Sequence, residues 1–320
     1  MKIANRGNWI SIPKNLDKFW REIDIRLINE QHYLDQVYTK EIKHNNTLFF
    51  SESDVFHIDY TLSGSHVDLC IDNLIKLLYL NQKLSKSLKV KISDALKGIL
   101  ANALLSYHKF GGSGFVRIKS GNDEYNKNRY NPLMTKKSTL DVLDKLTKVG
   151  LIEYYSDKFL ERRYKNKIKK HFLRYRFKWE IFTKFIEYEI GYKDLYRVSD
   201  FVMLKGPKVK SSIKETFKNY KDTDKTKKMR KDLEKYNDLL RRNHMNISGN
   251  LIDQEGKDFQ FQNYGKRFYY RVFTKNNFSC GGRFYGHWVL EIPALARQFL
   301  NMNGRPTRQI DYSACLLHIM

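Results

Sequence analysis

The sequence predicts an α+β protein, mainly helical, with a small sheet near its C-terminus. Three observations carry this. Several stretches repeat apolar residues at helical spacing, as in His66 to Gln82 and Lys227 to Arg242. Shorter stretches alternate apolar and polar residues, as in HFLRYRFKW from His171 to Trp179. Glycines then punctuate the elements, at Gly111-Gly112, Gly150, Gly281-Gly282 and Asn303-Gly304. The 320 residues are 41% hydrophobic, enough for two or three domains with cores of their own.

The first region, 1–88, reads as mixed α/β. Asn15 to Asn29 places Leu16, Phe19, Ile23 and Leu27 at helical spacing. His66 to Gln82 reads as a second helix, with Val67, Leu69, Cys70, Leu74, Ile75, Leu77, Leu78 and Leu80 as its apolar positions. The residues between hold two short strands, and Phe56-His57-Ile58-Asp59 reads as structural.

The second region, 89–180, is more informative. Ile92 to Phe110 is a helix, followed by a Gly-Gly-Ser-Gly loop and an Asn-rich connection. Ser138 is a plausible N-cap, with Asp141 three residues on, for a helix whose face is Leu140, Leu143, Leu146 and Val149. Gly150 ends it in the left-handed conformation. Leu151 to Tyr155 and His171 to Trp179 are strands flanking a basic segment. From Lys158 to Lys178 there are ten Lys or Arg and one Glu.

Helix, glycine, strand, basic hairpin, strand resembles the winged helix-turn-helix domains of bacterial regulators and plasmid replication initiators. The resemblance implies that the hairpin is a nucleic-acid-binding wing. Arg162, Arg163, Lys165, Lys167, Lys169, Lys170, Arg174 and Arg176 would then meet phosphates, with Tyr164, Tyr175 and Trp179 available for stacking or packing. A solvated basic hairpin on a protein-contact domain is the alternative.

The third region, 181–250, reads as basic and helical. IFTKFIEYEI continues an amphipathic segment, and the start of KGPKVKSSIKETF suits a linker. Met229, Leu233, Tyr236 and Leu240 give one apolar stripe to a helix over Lys227 to Arg242. Its basic face is either solvated or tracks backbone phosphates.

The fourth region, 251–320, holds paired strands within Phe259 to Thr274 and then GGRFYGHWVLEIPALARQFLNMNGRPTRQIDYSACLLHIM. Asp311 follows Ile310 at what reads as the end of a buried strand. A carboxylate there is costly unless it is paired or binds a metal. Gly282-Arg283, Ile292-Pro293, Arg297 and Asp311-Tyr312-Ser313, in that order, resemble the palm entry of family A (DNA polymerase I-type) and phage-type single-subunit polymerases. The resemblance implies an incomplete polymerase-like palm. Asp311 would be a catalytic carboxylate binding Mg²⁺ with the Tyr312 backbone, and Arg283 would contact nucleic acid. An Asp311 that caps the next helix and an Arg283 in a surface ion pair are the alternatives. The sequence departs from the family at Leu290-Glu291, where Gln-Asn is usual, and at Leu316, where a glutamate is usual. The family's second metal carboxylate follows this motif, beyond Met320.

The net charge of +24 points to a polyanionic partner, DNA above all. Cys70, Cys280 and Cys315 have no zinc spacing and suit a reducing cytoplasm. No apolar run is long enough for a membrane span, and MKIANRGNWISIPKN lacks a signal core. The chain therefore reads as the nucleic-acid-binding N-terminal portion of a template-directed nucleotidyltransferase, inactive as an isolated chain. A winged-helix replication initiator or regulator without enzymatic activity is the alternative.

Overall fold

A computed structural model describes residues 53–80, 82–110, 115–119, 125, 129–156, 172–206, 217–247, 266–292 and 297–308. These form an α+β structure with five helices and four small sheets among the described residues. The expected helix at Asn15 to Asn29, the segment 157–171, residues 207–216 of the expected linker stretch and Asp311-Tyr312-Ser313 all lie outside them.

The largest core joins three helices to one sheet. Helix α1 (Ser65–Leu78) buries Val67, Cys70, Ile71, Leu74, Ile75 and Leu78. Its remaining leucines, Leu69, Leu77 and also Leu80 just beyond it, are exposed. Helix α2 (Lys86–Phe110) starts a turn and a half before the apolar pattern, because Ser85 accepts a hydrogen bond from the Leu88 N–H and opens the helix there. Its middle, from Ile92 to Leu105, is buried on most sides, since it packs against α1, a third helix and a strand at once.

That third helix, α3 (Lys136–Lys148), begins one turn earlier than Ser138. Thr135 is the N-cap, its hydroxyl accepting from the Ser138 N–H, while Ser138 is buried inside the first turn. The buried face is Ser138, Thr139, Val142, Leu143 and Leu146, and Val149 is exposed. Gly150 follows with φ +79 and open space around it, so backbone conformation alone calls for glycine.

The main sheet has the order β1-β3-β5-β4. Strand β1 (Ser53–Val55) runs parallel to β3 (Phe115–Lys119). Strand β5 (Phe172–Phe177) lies antiparallel between β3 and β4 (Ile152–Ser156). Val116, Ile118, Ile152, Tyr175 and Phe177 occupy the face turned to the helices. Helix α4 (Trp179–Glu187) starts where a continued strand was expected, and Trp179 packs partly buried against the core. Strands β2 (Tyr60–Leu62) and β6 (Leu195–Arg197) pair beside α2. Buried Asn102 of α2 holds the entry to β2. It accepts from the His57 N–H at 2.6 Å and donates to the His57 and Gly98 carbonyls. Leaving one such backbone group unpaired would cost about 1–3 kcal/mol. The core draws on residues from Phe56 to Leu195 and on Phe268.

The region expected to be helical from 181 to 250 is mixed. It holds α4, β6, β7 (Val202–Leu204), helix α5 (Asp224–Arg242) and β8 (Met245–Ile247). Strand β9 (Tyr270–Phe273) runs parallel to β7 and antiparallel to β10 (Gly281–Tyr285). Val202, Leu204, Phe273 and Leu233 of α5 form a second core. Strands β11 (Leu300–Met302) and β12 (Arg305–Pro306) make a hairpin around Asn303 and Gly304, both at positive φ. This hairpin joins β8, over a third core of Ile247, Trp288, Ile292 and Leu300. Among the described residues no helix is long and apolar enough to cross a membrane.

Candidate nucleic-acid interface

Strand alternation decides where the basic residues go. Alternation in FVRIK of β3 and FLRYRF of β5 puts Val116, Ile118, Tyr175 and Phe177 on the core face, and Arg117, Arg174 and Arg176 on the other, beside buried Phe115. The register sets Arg117 opposite Arg174, and both Phe115 and Glu153 opposite Arg176. Arg174 and Arg176 therefore share one sheet face, pointing away from the helical core. Arg176 forms an ion pair with Glu153, with Nε 3.0 Å from Oε2, and its guanidinium lies over Phe115. Arg174 lies opposite Arg117 in the register. Burial, and then the Arg117 charge, lower its affinity for its own proton. Like charges directly opposite in a sheet oppose pairing. Arg117 escaped the sequence reading, although the Val-Arg-Ile alternation marks it.

The strand ends next to this face carry the basic segment. Ser156 pairs with Leu173, so the two ends of segment 157–171 leave the sheet side by side. Arg162, Arg163, Lys165, Lys167, Lys169 and Lys170 belong to that segment and lie outside the described residues, as does Tyr164. Tyr175 is not available for stacking on a ligand. It is buried on the core face. Helix α3 contributes little net charge outward, because Lys148 pairs with Asp144, and Lys145 sits over the Tyr79 ring whose hydroxyl donates to Asp141.

Arg283 sits in a different sheet. The Gly281-Gly282-Arg283 stretch is a bulged strand, and the turn lies before it, between Thr274 and Cys280. Gly281 and Gly282 have φ near +80, and a Cβ on Gly282 would come within 2.8 Å of Arg271 and Phe273. The bulge leaves Arg283 exposed on β10, an edge strand, next to exposed Phe284 and Tyr285. Tyr285 stacks on Tyr270, whose other neighbour is the Arg197 guanidinium at 4.0 Å. Trp288 is buried, as a packing residue should be.

The densest ionic cluster is structural. Buried Asp200 receives Arg230 through two bonds of 3.0 and 2.9 Å and Arg129 at 2.7 Å, and it also accepts from the Val202 N–H. Asp222 binds the same two arginines. Hydrogen bonding to Asp200 holds the Arg230 guanidinium firmly protonated. Two arginines and two aspartates balance, and they fasten α5 to Arg129, Asp200 and Asp222.

Asp311 and Tyr312 lie outside the described residues. Among the described residues, no group of three or more His, Cys, Asp or Glu is placed to hold a metal ion. Glu291, the acid nearest to Asp311 on its N-terminal side, is engaged by Lys266 at 3.1 Å. Among the described residues, then, none is grouped with Glu291 as a carboxylate pair for magnesium. No protein-family model matches the chain, and no curated protein and no solved structure matches it.

Proposed function

We propose that this chain binds nucleic acid, DNA in the first place, through a winged-helix-like module made of α2, α3, β3, β4 and β5. The observation that carries the reading is the register of Arg117 against Arg174 on the outward face of the sheet. Two guanidiniums set opposite each other on neighbouring strands concentrate positive charge on that face. A backbone phosphate is the anion a chain of net charge +24 meets most readily. The basic segment 157–171 leaves the same sheet and extends this charge. With its outward charges largely paired, α3 adds register more than attraction. Binding is accordingly electrostatic and weakly sequence-dependent.

Removing the crowded charges tests this. Arg117→Gln with Arg174→Gln should weaken binding to a labelled duplex of about two helical turns by about tenfold, each lost charge-assisted contact being worth about 1.5–3 kcal/mol before screening by salt. The thermal midpoint, measured alongside, separates a lost contact from a lost fold. Unchanged affinity with a lowered midpoint would make the pair a structural feature only.

The nucleotidyltransferase role belongs to the same proposal and rests on the motif order from Gly282 to Ser313. Its test is nucleotide addition by the natural gene product on a primed template. Asp311→Asn should abolish addition while leaving duplex affinity unchanged. An Asp311→Asn protein that extends primers at the wild-type rate would remove this role and leave the binding reading standing.

A further inference from the structure

A second surface has the chemistry for unpaired bases. Tyr236 of α5 is 44% exposed and Phe284 of β10 is 51% exposed, and both rings meet Tyr269. Tyr269 is fixed from below. Its ring lies parallel to buried His287 at 4.7 Å, and its backbone N–H and C=O are both bonded to buried Asn237. Rings anchored in this way lose little entropy when something stacks on them. Exposed Leu239, one turn after Tyr236, widens the apolar surface.

Cations surround these rings. Arg271 is held by the Gly282 carbonyl, with its guanidinium 5.6 Å from the Phe284 centroid. Arg283 is exposed on the same strand as Phe284. Arg297 lies close enough to Tyr269 for its charge to act on the phenol. Its Nε is buried without a hydrogen-bond partner among the described residues. A buried donor left unpaired is costly and calls for an acceptor.

We infer that Tyr236 and Phe284 form a stacking platform for the bases of single-stranded nucleic acid, with Arg271, the register partner of Phe284, and Arg297 taking the adjoining phosphates. Only an unpaired strand offers base faces, because a duplex covers them by its own stacking. Apolar rings beside guanidiniums match such a strand in both of its parts, base and phosphate. The inference rests on the nucleic-acid reading above but uses a surface separate from the arginine sheet.

The test compares fluorescein-labelled oligothymidylate and oligouridylate of about twelve nucleotides with a labelled duplex, all titrated with the full chain. Tyr236→Ala with Phe284→Ala should weaken binding of both single strands by about tenfold per ring, and duplex binding by less than about twofold. The salt dependence should stay unchanged, because stacking releases no counterions. Tyr236→Phe and Phe284→Trp keep the rings and should keep the affinity. A loss on only one of the two strands keeps the platform and assigns its sugar. The platform is overturned if the alanine pair binds single strands as the wild type does, if duplex affinity falls equally, or if the ring-preserving variants lose as much as alanine. A wild-type chain that binds duplex but no single strand overturns the platform alone. One that binds neither overturns the nucleic-acid reading beneath it.

Discussion

His287 and His244 show how a single side chain couples this protein to pH. His287 is buried and His244 half-buried, and both are pushed down to about 3, first by loss of solvent and then by the Arg267 charge. An unfolded chain protonates a histidine below about pH 6.5, whereas the folded chain resists until about pH 3. The unfolded state therefore binds more protons across that window. Stability is complete above about pH 6.5 and is lost as pH falls toward 3, by about 1.4 kcal/mol per pH unit for each histidine. The urea midpoint should fall between about pH 7 and about pH 5. His287→Asn, which can still accept from the Val289 N–H, should fall about half as steeply. Equal slopes for the two proteins would show that His287 does not carry this dependence. No local pattern in the sequence marks either histidine, because burial is a property of the fold. Asp200 was equally hidden. Its partners Arg129, Tyr220 and Arg230 are spread over a hundred residues and meet only in three dimensions.

At the scale of elements, periodicity was a good guide and boundaries were not. The α3–Gly150–β4 sequence was legible because an apolar stripe, a left-handed glycine and an alternating run are each local signals. The start of α3 was misplaced by one turn because Thr135 and Ser138 are both competent caps, and packing chose the former. HFLRYRFKW read as one strand to Trp179, yet the chain turns into α4 after Phe177, where Trp179 reaches the core. Gly281-Gly282 read as a turn but is a bulge, since the strand partner that defines it, β9, is visible only in the sheet. Strand alternation also decided the candidate site. It put Arg174 and Arg176 outward as the basic-hairpin reading required, and it put Tyr175 inward, against that reading. The aromatic surface of Tyr236 and Phe284 was invisible for a different reason. It is assembled across α5 and β10, and Tyr236 read as part of the buried stripe.

For the whole molecule, the decisive quantity is charge. A net +24 on 320 residues repels itself, and folding alone gives no return for it. The described structure spends part of the charge in ion pairs, at Asp200, Glu153 and along α3, and leaves guanidiniums crowded at Arg117 and Arg174. The basic segment leaves the sheet beside them. On the proposed reading, a polyanion that releases its counterions into solution as it binds this surface accounts for all three facts. The most direct measurement is the salt dependence of duplex binding between about 50 and 200 mM, for the wild type and for a variant with Arg162, Arg163, Lys165, Lys167, Lys169 and Lys170 changed to Gln. The wild type should show a steep log–log decline, and the variant should bind more weakly with a slope smaller by about 0.9 for every one of the six that touches phosphate. Two parallel lines, or a wild type whose affinity ignores salt, would contradict the account.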